Sequence, residues 1–312
     1  MKSDVKKNIP VGGQAVIDGV MMRSPNWYSV AIRKQSGEVD VKLFPIISIV
    51  KKYPIAKAPL IRGIVALIEN LILGFKSLVY SVDKISIAEG REEVKISGFQ
   101  MTISIIIALI LAIGIFFVLP TYLGKFVYKF ISNVFLYNLI EGLIRFAILL
   151  LYVIFVSLLK DIRTLFEYHG AEHKTLHAYE AGDELTYENA NKYSTLHMRC
   201  GTALLMIVVF ISILIFSILG EQTLIQRVIY RIVLIPLIIG ISYEFIKLAG
   251  KFPESKILKI VSIPGLLFQK LTTRNPSEEQ LEVAIVALEK VINREIKKEE
   301  PLIQDQDFLT PP

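Results

Sequence analysis

Cys200 is the only cysteine among 312 residues, so no intramolecular disulfide can form and a disulfide-stapled scaffold is excluded. Charge is missing over long stretches: Ile96 to Gly124 and Cys200 to Gly220 contain no Asp, Glu, Lys or Arg. No apolar run precedes the polar segment after Met1 to Pro10, so no cleavable signal peptide is expected. The full spacing of a phosphate-binding loop is also lacking. Histidine is scarce, and all four copies, His169, His173, His177 and His197, fall within 29 residues of one another in a polar segment between two apolar ones.

Apolar residues, by contrast, make up 53% of the chain. Mean hydropathy is +0.53, too apolar for an ordinary soluble domain. The apolar residues come in runs rather than at amphipathic spacing, which predicts a mainly α, polytopic helical membrane protein. Four spans in two hairpins are expected: Ile96 to Gly124, Gly142 to Leu159, Cys200 to Gly220, and Val228 to Tyr243. In the last, Pro236 and Gly240 are expected to interrupt the helix. Leu60 to Ser81 is apolar enough to enter a membrane, but Arg62, Glu69 and Lys76 recur every seven residues as one polar stripe, the pattern of an interfacial or re-entrant helix. Segments alternating across these spans hold 30 Lys and Arg on one side against 5 on the other. The positive-inside tendency then puts both termini and the histidine loop in the cytoplasm, with the chain crossing the cell membrane. This asymmetry accounts for the net charge of +6 without any nucleic-acid partner.

Before Pro59 the pattern changes. Gln14 to Met22, Trp27 to Arg33 and Glu38 to Phe44 are rich in Val, Ile and aromatics and are separated by turn residues, which predicts a small N-terminal β meander. At the other end Ser277 and Gln280 form a capping box. The helix it opens, to about Arg294, carries Leu281, Ala284, Ile285, Leu288, Val291 and Ile292 on one face, before a terminal tail expected to be disordered. The organisation read from sequence is a β region at 1–59, an amphipathic helix and linker at 60–98, a first hairpin at 99–160, the histidine loop at 161–199, a second hairpin at 200–245 and a C-terminal region at 246–312.

On a helix ended by Gly182, His169, His173 and His177 project about 40° apart, one face with imidazoles a turn apart. His169-x-x-Glu172-His173 matches a pattern in which two histidines hold zinc and the glutamate is the general base. A third donor is sought among His177, Glu180, His197 and Cys200; the ion expected is a divalent transition metal, zinc foremost, and the chemistry metal-assisted hydrolysis. The plain alternative is a solvated helix at the membrane surface. Arg199 at a span boundary reads as a snorkelling anchor or as a holder of anionic substrate. Gly12 and Gly13, with Asp18 and Arg23 following, read as a backbone anion nest or as an ordinary strand start.

The segments GGQAVIDGVMMRSP at Gly12 to Pro25, PLIRG at Pro59 to Gly63, EYHGAEHKTLHAYE at Glu167 to Glu180, HMRCGT at His197 to Thr202 and LTTRNP at Leu271 to Pro276 resemble the YqhQ-like family of bacterial membrane proteins. Asp18 stands where that family usually has Glu, and Met198 where Pro is usual. The resemblance implies a polytopic membrane protein with a metal site, labelled a predicted metal-dependent enzyme, and supplies no reaction. The expectation is therefore a hydrolase at the cytoplasmic face, with His169, His173, His177 and His197 as ligands, Glu172 as base, and Arg23 or Arg199 orienting a lipid-linked or peptide substrate. The alternative is a transporter or accessory subunit whose histidines bind a structural metal or sense pH, with Pro236, Gly240 and Glu244 as the marks of a permeation path. Oligomeric state is left open.

Overall fold

The computed structural model describes residues 9–88, 98–128, 130–252 and 255–297. Four strands, β1 (Gly12–Val16), β2 (Gly19–Arg23), β3 (Trp27–Arg33) and β4 (Val39–Pro45), form an antiparallel meander in the order β1-β2-β3-β4. The segment Gln14 to Met22 is thus two strands rather than one. Val16 pairs with Gly19 across a tight turn in which Asp18 has φ of 48°, a conformation that Asp tolerates and β-branched residues do not. A Cβ on Gly19 would lie 2.1 Å from the Ala31 carbonyl oxygen, so the turn closes only with glycine there.

After α1 (Ile49–Lys52) and a 3-10 turn come α2 (Ile61–Ala88), α3 (Gly98–Ile113) continuing through a short π segment into α4 (Leu119–Tyr128), and α5 (Val134–Val156). Then follow α6 (Lys160–Ala181), α7 (Tyr187–Asn191), α8 (Gly201–Ser217), α9 (Leu224–Lys251), α10 (Lys256–Thr272) and α11 (Glu278–Lys297). Among the described residues four stretches are long and apolar enough to cross a membrane: Ile61–Ile87, Thr102–Phe126, Val134–Val156 and Ile229–Ala249; α8 is a shorter apolar helix. The fold is mainly α with a small N-terminal sheet. Pro236 does not interrupt α9, which runs unbroken for 28 residues. Proline removes one backbone donor, a defect that apolar helices packed on neighbours absorb, and Gly240 serves close packing instead, its missing Cβ leaving room for Leu60.

Both faces of the sheet are covered, and the two central strands, β2 and β3, are accordingly buried along most of their length, whereas the edge strand β4 still alternates Val39, Val41 and Leu43 with Asp40 and Lys42. Val20, Met22 and Ala31 face a core built with Tyr168, Ala171 and Leu176 of α6 and Leu281, Ala284, Leu288 and Val291 of α11. Segments distant in sequence, the β region, the histidine helix and the C-terminal helix, are therefore one packed body. The other face, Val16, Met21, Tyr28, Val30, Ile32 and Phe44, packs on Tyr80, Leu73 and Ile85 of α2. The predicted capping box opens α11: Ser277 N–H donates to Gln280 Oε1 (2.8 Å) and Gln280 N–H to Ser277 Oγ (3.3 Å). The expected tail, the last dozen residues with Pro301, Pro311 and Pro312, lies outside the described residues.

The polar stripe of α2 is a set of latches. Arg62 forms a two-pronged ion pair with Glu244 of α9. Glu69 accepts from Ser48 Oγ (3.0 Å) and from the first amides of α1. The opposite face of α2 leaves Ile68, Leu71, Ile72 and Phe75 exposed.

Candidate metal centre

Helix α6 carries His169, Glu172, His173, His177 and Glu180, and it ends where Gly182 enters the left-handed region (φ 80°) with its N–H on the Ala178 and Tyr179 carbonyls. Although polar, its middle is buried: Glu172, His173, Lys174 and Thr175 are all at most 5% exposed. Burial at this level requires partners, and backbone carbonyls supply two of them. His169 Nδ1 lies 2.8 Å from the Thr272 carbonyl oxygen and His173 Nδ1 lies 2.5 Å from that of Thr195. A carbonyl can only accept, so both rings carry the proton on Nδ1 and present the Nε2 lone pair on the other side.

Those lone pairs face one sulfur. His169 Nε2 is 3.2 Å from Cys200 Sγ. The buried His173 Nε2 has no partner in hydrogen-bond geometry, yet donor atoms of His169, His173 and Cys200 all lie within 4.8 Å of one another. Cys200 is the N-cap of α8, and its Sγ receives the Thr202 N–H at 3.4 Å. Two imidazoles fixed by carbonyls, one with a buried lone pair left over and one aimed at the thiol, make the donor set and the orientation that a zinc-type ion requires. The residues fit the group.

A second trio follows on α6: His177, Glu180 and His197 also bring donor atoms within 4.8 Å of each other. His177 Nε2 is 2.8 Å from the Leu196 carbonyl oxygen, and His197 Nε2 is 3.2 and 3.3 Å from the two Glu180 carboxylate oxygens. Glu180 also takes an ion pair from Arg199. Against the cost of burial, His197 and Arg199 together hold the Glu180 carboxyl below its usual value, while burial lowers His197. The four histidines thus divide into two neighbouring groups, with the His173 and His197 ring centres 5.6 Å apart.

Glu172 stands beside the first trio. Gly13 donates its backbone N–H to it, and burial, opposed in part by His169, pushes its carboxyl up to about 8. A Cβ on Gly13 would lie 2.8 Å from both the Met21 carbonyl oxygen and Met22 Sδ and 2.9 Å from Glu172 Cγ, so β2 and the glutamate together leave no room for a side chain there. Glu172, His169, His173 and Cys200 open onto a cavity of about 510 Å³, which Arg23, Arg199 and Gly12 also line. Its apolar walls include Phe166, Leu204 and Ile246, so it lies where the ends of α8 and α9 meet the sheet and α6. Asp18, at the β1–β2 turn, is not among the lining residues. Glu244 is likewise outside, held by Arg62.

Sequence reasoning missed the supports. Gln269, fully buried on α10, clamps the His197 backbone with both ends of its amide, each bond 2.8 Å. Asn70 of α2 accepts from Arg23. Thr195 and Thr272 act through carbonyls that every residue carries, so no residue type could have flagged them; only the placement of Thr272 within LTTRNP pointed there.

Residues 58–294 match the family described as a protein of unknown function, DUF1385. The chain is also similar to a Bacillus subtilis (strain 168) protein named "Uncharacterized protein YqhQ", 33% identical over 299 residues that cover 93% of this chain and 94% of that protein. No solved structure matches. With the family matched over most of its length and a relative matched nearly end to end, the chain belongs to the DUF1385 family, to which the YqhQ-like motifs of its histidine helix had pointed.

Proposed function

We propose that this protein is a metal-dependent hydrolase working at the cytoplasmic surface of the cell membrane, with His169, His173 and Cys200 as ligands and Glu172 as general base. The observation that carries the reading is the buried His173 Nε2, which meets no nitrogen or oxygen partner and lies with His169 Nε2 around the Cys200 sulfur. A divalent ion there, zinc by the softness of the donor set, supplies Lewis-acid activation of water and of the scissile bond. The chain's residues do the rest. Thr272 and Thr195 hold the ring orientations, and Arg23 and Arg199 at the cavity wall receive the anionic part of a substrate. Glu172, whose carboxyl burial pushes up to about 8, accepts the proton from water in its ionised form and so works better as pH rises toward 8. Apolar walls beside two arginines suit a lipid-linked or other amphiphilic substrate with an ester, amide or phosphoester bond. Elemental analysis of the purified full-length protein is expected to find about one zinc-type ion per chain at the first trio, reduced to background there in His173→Ala and in Cys200→Ser. A folded wild type without such an ion ends the reading.

Parity supports one membrane disposition. The sheet, α6 and α11 share one core and so lie on one side of the bilayer, and the chain must cross an even number of times between them. Because α2 spends its second half covering the sheet, α3–α4 with α5 make one crossing pair and α8 with α9 the other, leaving the exposed Leu71, Ile72 and Phe75 of α2 in the lipid interface. Reporter fusions after Ser48 and at the C-terminus are expected to report the cytoplasm together, and one after Phe130 the opposite side. A fusion after Ala88 that reports the opposite side would make α2 a span and overturn the arrangement.

A further inference from the structure

Positive charge on the sparse side of the membrane amounts to Lys125, Lys129, Arg145, Arg227 and Arg231. Three of the five converge inside the fold. Arg227 Nη1 donates to Glu141 Oε2 at 2.7 Å, Arg231 Nη2 to Oε1 at 2.6 Å, and Arg145 Nη2 to Oε1 at 3.3 Å. Thr121 Oγ adds a fourth bond to the same carboxylate (2.9 Å). Glu141 is 1% exposed, and Arg145, Arg227 and Arg231 are 15%, 13% and 12% exposed. Three guanidinium groups share one carboxylate, an excess of two positive charges withdrawn from water. Isolated charge is not held in so little solvent without a counter-ion.

The place for one is open beside them. A cleft of about 570 Å³ is lined by Lys125, Tyr137, Gln222 and Arg227, with Glu221 the one acidic residue on its wall. Arg227 stands between the cleft and an enclosed void of about 10 Å³, room for a single water, which Arg145 and Arg231 also line. Its guanidinium lies 4.9 Å over the Tyr137 ring, so one face is packed while its edge remains directed by Glu141. The first turn of α9, opened by the Thr223 cap, borders the same cleft and adds its backbone N–H groups. Along α9 the interval from Arg227 to Tyr243, which lines the histidine cavity, is about 24 Å, so this cluster lies toward the other headgroup layer.

We propose that this arginine cluster binds a phosphate-bearing anion at the membrane face opposite the metal centre. Guanidinium recognises phosphate oxygens through paired N–H donors, and Lys125 at the mouth offers a further point charge. The two sources of such chemistry are an anionic phospholipid headgroup and free phosphate.

Full-length protein in a neutral detergent is titrated separately with phosphatidylglycerol, phosphatidylcholine and inorganic phosphate, with bound ligand counted by native mass spectrometry and thermal unfolding followed in parallel. The wild type is expected to bind phosphatidylglycerol or inorganic phosphate about tenfold more tightly than Arg227→Gln, and about threefold more tightly than Lys125→Gln, whose exposed site leaves the fold untouched. Preference for phosphatidylglycerol over inorganic phosphate identifies a lipid headgroup; the reverse identifies free phosphate. Binding that is indifferent to both substitutions, or equal for phosphatidylcholine and phosphatidylglycerol, or absent for all three, overturns the proposal. None of these readouts depends on metal content, so this site and the metal centre fail separately.

Discussion

In Glu172→Gln the bound metal is expected to remain while hydrolysis falls by about 10²- to 10⁴-fold, the contribution of a well-placed general base. Glutamine keeps the shape of the side chain and still offers an oxygen to the Gly13 N–H, so the strand start beside it is not disturbed. It cannot take a proton. Because burial raises the Glu172 carboxyl to about 8, the side chain is largely protonated and neutral at pH 7, so the equally neutral amide adds no desolvation and stability should not fall. The measurement pairs elemental analysis with turnover of chromogenic ester, amide and phosphodiester substrates bearing acyl tails. Full metal with an unchanged rate would make the His169, His173 and Cys200 group structural.

A single methyl group should do more damage to the site than the loss of that base. Built onto Gly170, a Cβ would lie 1.9 Å from the Arg274 carbonyl oxygen and 3.1 Å from its carbonyl carbon. Backbone cannot step aside as a side chain can. The segment carrying Arg274 is tied to α6 by the Arg274 N–H to the Phe166 carbonyl (2.9 Å) and by His169 Nδ1 to Thr272 (2.8 Å), so relief of the clash must break these bonds. In an open helix alanine would be favoured over glycine by about 1 kcal/mol. Here the sign reverses, and Gly170→Ala is expected to destabilise the protein by about 3 kcal/mol and to release the metal, because His169 loses the carbonyl that orients it. Gly12→Ala is the matched control, since a Cβ there meets nothing within 4 Å. Thermal unfolding of both variants with and without chelator measures the difference; equal midpoints would mean that the Thr272 to Arg274 segment does not hold the ring.

Gly170 also shows where local reading stops. Read locally, a glycine among histidines only lowers helix propensity. It is the point at which another segment touches α6, and nothing within a few residues of it says so. Leu60 to Ser81 is a similar case. The seven-residue recurrence of Arg62, Glu69 and Lys76 correctly marked one side of a helix as polar, but periodicity cannot say whether a polar side meets water or protein; Arg62 meets Glu244 and Glu69 meets the start of α1. Pro236 misled in the opposite direction, because the penalty for proline is large in an isolated helix and small in one that neighbours support.

Regular features were legible because they depend on near neighbours along the chain. Absence of charge over twenty residues, imidazoles spaced by four, a Ser277 and Gln280 pair before an apolar face, and Gly182 at a helix end each determine a local outcome, and sequence alone was enough for them. Which donors meet is not local. That His173 shares Cys200 with His169 while His177 turns to Glu180 and His197, and that three arginines from two helices close on Glu141, was decided only when the helices packed. Packing orients these side chains largely through backbone carbonyls, which every amino acid carries, so the partners of His169 and His173 leave no mark in the order of residues.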